Sequence, residues 1–351
     1  MNRKRWWLLA GLAVLLLGGG YVVYYLVNRP MSQALTLETP TQEMVLPAST
    51  QTPIPEEKEP TAVAAIPEPT QTTAPTDLPA ICGNTGSMRL LVIGLTLPTD
   101  GEVLGADAIR LVTLDFDQPS ATIMALPALL WLDTPALAEF GVEETYLTAV
   151  YMQAYENRKV TSQRYRHQLA TQALAQTIVD NFGFVPDHYL TVDERTFVES
   201  VDTLGGIEIS LPEAVDGSSE EYGIYPAGQQ ILDGISTLNF ARLFHPDGVE
   251  EFDTWGNMAR QKLVVQAILA ETMKPKNFTK IPALADDLLR GVFTDLSLKQ
   301  TLDLVCMVEK VGQNTQTLGV SEEMVTVDDS GRMIPDVEAI KQLIELMADS
   351  N

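Results

Sequence analysis

DHYLTVDERTFVESVDTLGGIEISLP, residues 187–212, decides the fold class of this chain. The run His188–Asp193 is short and rich in β-branched and aromatic residues, which predicts a strand. Asp193 is a suitable cap for a helix that stops at the pair Gly205–Gly206. Ile207–Pro212 then predicts a second strand. A strand, a helix and another strand in direct succession indicate an α/β layered domain.

The rest of the folded part continues this alternation. Three apolar runs predict further strands, and the last two form a hairpin across the turn DQPS: Met88–Leu95, Ala108–Phe116 and Ser120–Pro127. Helical patterns with Ser or Asp caps cover residues 162–183, 233–244 and 253–273. After Asp295 the sequence predicts a helix at 297–311, a strand within MVTVDD and a closing helix at 336–347. We therefore expect a mixed sheet with helices, plus a C-terminal extension packed on the same domain.

The charge balance limits the partners of the chain. It has 23 basic and 47 acidic residues, so its formal net charge is −24. Nucleic acid phosphates attract basic surfaces, and a nucleic acid partner is therefore not expected.

The N-terminus predicts a single membrane anchor. Arg3, Lys4 and Arg5 precede an uncharged run at residues 6–27, which as a helix of 1.5 Å per residue would span about 33 Å. Because the cations before the run outnumber Arg29 after it, residues 1–5 are predicted to be a cytoplasmic stub. The chain would then be a single-pass protein of the cell membrane with an extracytoplasmic domain. A cleaved signal peptide is the alternative, although the apolar run is long for one.

A linker is predicted between the anchor and the domain, over residues 28–81. Residues 30–80 contain ten prolines, ten threonines and seven acids, with no glycine and no aromatic residue. Such a composition buries too little apolar surface to fold and favours an extended chain. The predicted organisation is thus stub 1–5, anchor 6–27, linker 28–81, domain 82–294 and extension 295–351.

The chain has two cysteines, Cys82 and Cys306. In an extracytoplasmic compartment an even pair predicts one disulfide, here between Cys82 and Cys306. The alternative is two unrelated thiols, one of them buried in the helix at 297–311.

The strongest cluster of chemically active side chains lies in FARLFHPDGVEEFDTWGNMARQK, residues 240–262. Arg242 and Arg260 could grip a diphosphate through paired hydrogen bonds. They could equally neutralise Glu250, Glu251 and Asp253 at a surface. Zinc-type histidine spacings and the G-x-S-x-G nucleophile elbow are both absent from the sequence, which argues against hydrolases of those kinds.

GADAIRLVTLDF, residues 105–116, places an acid directly before a buried strand. Asp107 is either a solvated turn residue or a ligand at the strand end, and its own segment leaves both readings open.

The order of these segments resembles the LytR-CpsA-Psr family of cell envelope proteins, from about Met88 to Met273. LLVIG with GADAIRLVTLD, the segment containing VDTLGGIEI, GQQILDGISTLNFARLF and ARQKLVVQAIL carry the resemblance. It implies an α-β-α sandwich that binds a polyprenyl-pyrophosphate lipid and transfers a glycopolymer phosphate to peptidoglycan. By the same resemblance, Asp107 is a metal ligand for Mg²⁺, while Arg242, Arg260 and Gln261 bind the pyrophosphate. The catalytic residues it implies are Asp107, Arg242 and Arg260.

The chain departs from the family pattern at charged positions. Thr96 and Pro98 stand where the family has an acid and an arginine, and Ala128-Leu129 replace an Arg-Asp pair after Pro127. Phe244 and Asn257 stand at two further arginine positions.

Because charge-assisted hydrogen bonds contribute about 1.5–3 kcal/mol each, these losses predict lipid binding with weakened or lost transfer. An active Mg²⁺-dependent phosphotransferase and a non-catalytic wall-space scaffold are the alternatives.

Overall fold

The computed structural model describes residues 27–39, 81–96, 103–156, 162–280, 283–284, 292–311 and 314–349. The predicted stub 1–5, nearly all of the predicted anchor 6–27 and linker residues 40–80 lie outside them. Within the part that is described, no helix combines the length and apolarity needed to cross a membrane.

The described strands form one main sheet and several short hairpins. They are β1 (Ser87–Thr96), β2 (Gly105–Asp115), β3 (Ser120–Leu126), β4 (Trp131–Asp133), β5 (Glu144–Tyr146), β6 (His188–Asp193), β7 (Ile207–Leu211), β8 (Val215–Asp216), β9 (Ile224–Tyr225), β10 (Gly228–Leu232), β11 (Val292–Thr294), β12 (Thr315–Gly319), β13 (Val325–Val327) and β14 (Met333–Pro335). Among the described residues the main sheet has the order β11-β6-β1-β2-β3-β12. It is mixed, because β1–β2 and β2–β3 are antiparallel while β1–β6 and β3–β12 are parallel.

Helices cover both faces of this sheet. They are α1 (Leu147–Tyr155), α2 (Gln163–Phe182), α3 (Glu194–Leu204), α4 (Gly234–Arg242), α5 (Thr254–Thr272), α6 (Leu298–Val311) and α7 (Val337–Asp349). Several begin and end where the sequence predicts. Asp193 caps α3 by accepting the Thr196 N–H at 2.7 Å, and Gly183 ends α2 in the left-handed conformation.

Strand alternation divides the core between the two faces. Leu91 and Ile93 of β1 pack with α1, α2 and α7, whereas Met88 and Leu90 face the opposite side and pack with α6. Helices α4 and α5 form a further cluster with β7 and β10 that includes Phe240. The predicted α/β class with a central mixed sheet is confirmed, and the three-layer arrangement agrees with it.

The C-terminal extension contributes directly to the main sheet. Strand β12 pairs with β3 from Thr315↔Ala121 to Gly319↔Ala125 and closes one edge of the sheet. Helix α7 adds Ile340 and Met347 to the main core. Residues after 295 therefore complete the sheet as well as covering it.

The predicted disulfide between Cys82 and Cys306 is confirmed, with the two Cα atoms 5.4 Å apart and the two residues 224 positions apart in sequence. It joins the turn before β1 to helix α6. Lys299 reinforces the same junction by donating to the Gly83 carbonyl at 2.9 Å.

Residues 30–38 differ from the extended linker that the composition predicts. The Met31 N–H donates to the Leu296 carbonyl at 3.1 Å, and the following residues run along α2. Leu35 and Leu37 pack against the main core. These two leucines alternate with polar residues, so both can face the domain and supply an apolar contact. The proline-rich composition of the whole linker does not reveal this contact.

Candidate functional site

A cavity of about 240 Å³, here called the Asp107 cavity, lies between the main sheet and helices α3, α4 and α5. Three of the residues that line it come from different elements, because Asp107 lies on β2, Arg242 ends α4 and Gln261 lies on α5. The remaining walls are mainly apolar, with Val92, Leu95, Val192, Phe197, Leu238 and Val264 among them. Three of the four site residues that the resemblance implies therefore meet at one cavity.

Asp107 is held by threonine hydroxyls. Thr96 on the paired strand β1 donates to Oδ2, and Thr148 at the start of α1 donates to Oδ1 at 3.1 Å. The close approach of Thr148 requires a residue without a side chain at Gly105, where a Cβ would lie 2.4 Å from Thr148 Oγ1. Asp107 is thus a half-buried, oriented carboxylate at the cavity wall rather than a solvated turn residue.

Arg242 lies at the cavity with its charge already paired. Its Nη1 is 2.9 Å from Glu194 Oε1, and both side chains are largely buried. Since Glu194 begins α3 directly after β6, this ion pair ties α4 to the end of a central strand.

Arg260 is not part of the cavity lining. Its Nη1 donates to Asp253 Oδ2 at 3.1 Å and its Nη2 donates to the Leu243 carbonyl. Asp253 also caps α5 through the Gly256 N–H. In this arrangement Arg260 connects the loop after α4 to the start of α5, and it does not line the Asp107 cavity together with Asp107 and Arg242.

A chain of side chains instead leads from α4 into the cavity. Asn257 donates to the Ala241 carbonyl at 2.8 Å and accepts from Gln261 Nε2 at 2.9 Å. Gln261 Oε1 in turn accepts from Arg110 Nη2 at 2.6 Å. The sequence reading missed Arg110, although an arginine inside the apolar run AIRLV is a signal of a buried polar contact.

The charges that line the Asp107 cavity do not favour an anion. Asp107, Asp193 and Glu194 bring three carboxylates, while Arg110 and Arg242 bring two guanidinium groups, so the formal sum is 2 − 3 = −1. Phe244, at one of the positions where the family has an arginine, packs its ring edge-on against Phe252 with centroids 5.7 Å apart.

The same residues limit how a metal could bind. Among the described residues, no group of three or more His, Cys, Asp or Glu side chains could hold a metal ion. Mg²⁺ commonly takes one or two protein carboxylates together with substrate phosphates and water. Each oxygen of Asp107 accepts one threonine hydroxyl and keeps a further lone pair. The site therefore fits Mg²⁺ only as an ion shared with a phosphorylated ligand.

A scan against protein-family models matches the LytR_cpsA_psr family over residues 58–348. The chain belongs to this family. Among curated family relatives, the polyisoprenyl-teichoic acid–peptidoglycan teichoic acid transferase TagU of Halalkalibacterium halodurans is 26% identical over 187 residues, which cover 52% of this chain and 60% of TagU. The matched stretches cover between 39% and 60% of the curated relatives' own lengths.

Solved structures of the family share the fold. Bacillus subtilis TagV superposes with a TM-score of 0.58 at 18% identity, covering 76% of this chain and 98% of TagV. A LytR-Csp2A-Psr enzyme from Actinomyces oris gives a TM-score of 0.57 at 21% identity, covering 76% of this chain and 91% of that enzyme. The curated relatives TagU and TagV are named as transferases of polyisoprenyl-linked teichoic acid to peptidoglycan. The family resemblance read from VDTLGGIEI and its neighbouring segments is confirmed.

Proposed function

We propose that this chain binds a polyprenyl-pyrophosphate-linked glycopolymer in the Asp107 cavity and transfers from it slowly or not at all. The observation that supports this is one cavity with apolar walls in which Asp107, Arg242 and Gln261 meet. Apolar walls suit a prenyl chain, and the polar groups suit its phosphates. The relatives' names include transfer from polyisoprenyl-linked teichoic acid to peptidoglycan.

Weak transfer follows from the charge of the cavity. In phosphoryl transfer the protein mainly positions the groups and stabilises the charge that develops on the leaving phosphate. Arg242 could do so only by sharing its guanidinium with Glu194, which lies 2.9 Å away. Arg260 is engaged by Asp253 and the Leu243 carbonyl. A bound Mg²⁺ would supply positive charge beside the phosphate oxygens.

We propose that residues 6–27 anchor the chain in the cell membrane with the domain outside the cell. The cations at Arg3–Arg5 before an uncharged run support this orientation. Protease added to intact, wall-stripped cells should then remove the domain. Full protection of the domain, with the membrane shown to be sealed, would exclude this topology.

The full chain in lipid nanodiscs provides the test of binding and transfer. We expect it to bind a polyprenyl pyrophosphate with Mg²⁺, and Arg242→Met to weaken that binding about tenfold or more. Arg195→Met is the matched control, because Arg195 is an exposed arginine on α3 that pairs with Glu199. Transfer by the wild type should be far slower than transfer by a relative with the full set of charges.

Two other results would favour the alternatives. Transfer as fast as that of such a relative would establish an active phosphotransferase with a rearranged site. Binding of wall glycan without any binding of the lipid would favour a non-catalytic scaffold.

A further inference from the structure

Residues 30–38 attach to the domain immediately after the point where the predicted anchor ends. The Met31 N–H donates to the Leu296 carbonyl at 3.1 Å, and the residues that follow are bonded to successive turns of α2. Met31 comes four positions after residue 27. Four residues reach at most about 14 Å when fully extended, so Leu296 lies within that distance of the end of the predicted anchor.

This attachment replaces a long tether by a short one. A free linker over the predicted residues 28–81 would allow the domain to lie as far as about 170 Å from the anchor, at 3.1 Å per residue. Because residues 30–38 are bonded to the domain, the few residues before Met31 set the distance instead. If residues 6–27 span the membrane as proposed above, one region of the domain stays close to the membrane surface.

The surface at this point, here called the entry surface, consists of Arg29, Arg164 and Tyr165. The glutamines that bind residues 33–38 occupy positions 168, 172 and 176, so they share one face of α2. Arg164 is one turn before them on that face. Burial raises the pKa of Tyr189, and nearby Ser32 and Arg164 oppose this rise, so both lie close to the Tyr189 hydroxyl. Arg164 is therefore located where the chain enters the domain.

The entry surface has the composition of a surface that faces lipid headgroups. Arg29, Arg164 and Tyr165 are all exposed, and the tyrosine is 51% exposed. No carboxylate of the described residues forms an ion pair with either arginine, whereas five other arginines there are paired with Asp or Glu. Cations near a membrane attract anionic headgroups, and tyrosine prefers the interface between lipid and water.

The sequence around Arg164 is basic in an acidic chain. Residues 157–166 contain four basic residues and no acidic one, although the whole chain has a net charge of −24. An anionic bilayer repels an acidic surface and attracts a local basic one. Charge and the short tether therefore favour the same orientation of the domain.

We propose that the domain lies on an anionic lipid bilayer through the entry surface, with Arg29 and Arg164 at the lipid phosphates and Tyr165 among the headgroups. This docking rests on the membrane anchor proposed above and is independent of the glycopolymer that the Asp107 cavity is proposed to bind.

Energy transfer from the protein to the headgroups measures the orientation. The full chain is placed in nanodiscs of phosphatidylcholine and phosphatidylglycerol in equal parts, with an acceptor dye on the headgroups. A donor dye is attached to Gln163→Cys or, as the control position, to Gln229→Cys. Both glutamines are exposed, and Cys82 and Cys306 are bonded to each other, so the introduced thiol takes the dye.

The two donor positions should differ clearly. Gln163 adjoins Arg164, whereas Gln229 lies on β10, which packs with α4 and α5 on the face of the main sheet opposite to α2. We expect the donor at position 163 to be quenched at least about twofold more than the donor at position 229, because a reach of about 14 Å keeps the entry surface beside the headgroups.

Two further variants test the side chains. With the donor at position 163, Arg164→Glu should lower the quenching by about half in these nanodiscs and change it little in nanodiscs of phosphatidylcholine alone, because the attraction is electrostatic. Arg195→Glu is the matched control, since Arg195 is an exposed arginine on α3. Tyr165→Ser should lower the quenching in both kinds of nanodisc, because the preference of tyrosine for the interface does not depend on lipid charge.

Gel filtration of the nanodiscs separates failure of the anchor from failure of the docking. A chain that leaves the nanodisc would exclude the anchor. Retention with equal quenching at positions 163 and 229 would exclude the orientation, and unchanged quenching in both Arg164→Glu and Tyr165→Ser would exclude contact of these side chains with the bilayer. Loss of quenching on adding polyphosphate, at a phosphate concentration below that of the nanodisc lipids, would assign the cations to an anionic polymer and overturn the docking.

Discussion

Gln172 on α2 pairs with the backbone of Thr36 in both directions. Its side-chain oxygen accepts from the Thr36 N–H at 2.9 Å, and its amide donates to the Thr36 carbonyl. Gln176, one turn later, makes the same two bonds with Glu38 at 2.9 and 2.8 Å. Each glutamine side chain thus accepts from and donates to the same backbone residue, as a residue of a neighbouring β-strand would. Together the two side chains fix residues 30–38 to the domain.

Removing both glutamines should loosen this segment. Gln172→Ala combined with Gln176→Ala removes four hydrogen bonds to an exposed backbone, which water can partly replace, so we expect a loss of about 1–2 kcal/mol. Limited proteolysis should cut near residues 30–38 earlier than in the wild type, as judged by mass spectrometry. Gln229→Ala, at an exposed glutamine of β10, is the control. Identical cleavage in the three proteins would show that the bonds do not hold the segment.

A carboxylate at position 96 should create a metal site. Thr96 donates a hydroxyl to Asp107 Oδ2, so Thr96→Asp would place two carboxylates in contact across β1 and β2. Their repulsion should destabilise the variant without a divalent ion, and Mg²⁺ should restore it. We expect millimolar Mg²⁺ to raise the Tm of Thr96→Asp by several degrees more than that of Thr96→Asn. An equal response of the two variants would contradict this geometry.

His167 should make the domain less stable in mild acid. The ring is buried against Phe293 and Tyr155, and Nδ1 lies 3.0 Å from the Tyr151 hydroxyl. Burial, helped by nearby Arg166, lowers the pKa of His167 to about 4. The unfolded chain therefore takes up this proton first, and the contribution to stability is complete above pH 6.5 and falls as the pH drops toward 4. The full loss is about 3 kcal/mol.

Urea unfolding at several pH values measures this effect. In His167→Gln the decrease in unfolding free energy between pH 7 and pH 4.5 should be smaller than in the wild type by about 2 kcal/mol. His245→Gln, in the loop after α4, controls for the loss of a histidine elsewhere. The prediction fails if wild type and His167→Gln have parallel pH profiles.

Gly234 should not tolerate a side chain. A Cβ there would lie 2.3 Å from the Val198 carbonyl oxygen of α3, and the Gly234 N–H donates to Asp202 on the same helix. Gly234→Ala must separate α3 from α4 and should cost about 1–3 kcal/mol or more. Gly319→Ala is the matched control, because no heavy atom of the described residues outside its own chain neighbours lies within 4 Å of the place that a Cβ would take. Similar Tm values for the two variants would refute the close packing of these helices.

The local elements could be predicted because their signals are local. Apolar runs, an Asp cap and terminal glycines give β1–β3, β6, α2 and α3 close to their observed bounds. The pairing of β12 with β3 could not be read in this way, since it joins residues almost 200 positions apart and depends on the surfaces that both strands bury.

The candidate site was only partly predictable, for a geometric reason. Arg260 and Gln261 are neighbours on one helix, and successive helical residues point about 100° apart. Gln261 faces the cavity, so Arg260 faces the loop after α4 and bonds Leu243. The match to the family pattern had assigned both residues to the same ligand, the pyrophosphate. The role of Thr148 as a partner of Asp107 depends on the close approach at Gly105, which no linear pattern reveals.

The attachment of residues 30–38 determines how the protein would bear force. If its N-terminus is fixed in a membrane, tension enters the domain along α2 and at Leu296, before it can reach residues 40–80. The glutamine bonds lie side by side along the helix, so a pull along it loads them together in shear instead of opening them one at a time. Strand β1 and the Cys82–Cys306 bond then lie off the line of tension. The number of residues between 40 and 80 can change without altering the length of the tether that bears the load.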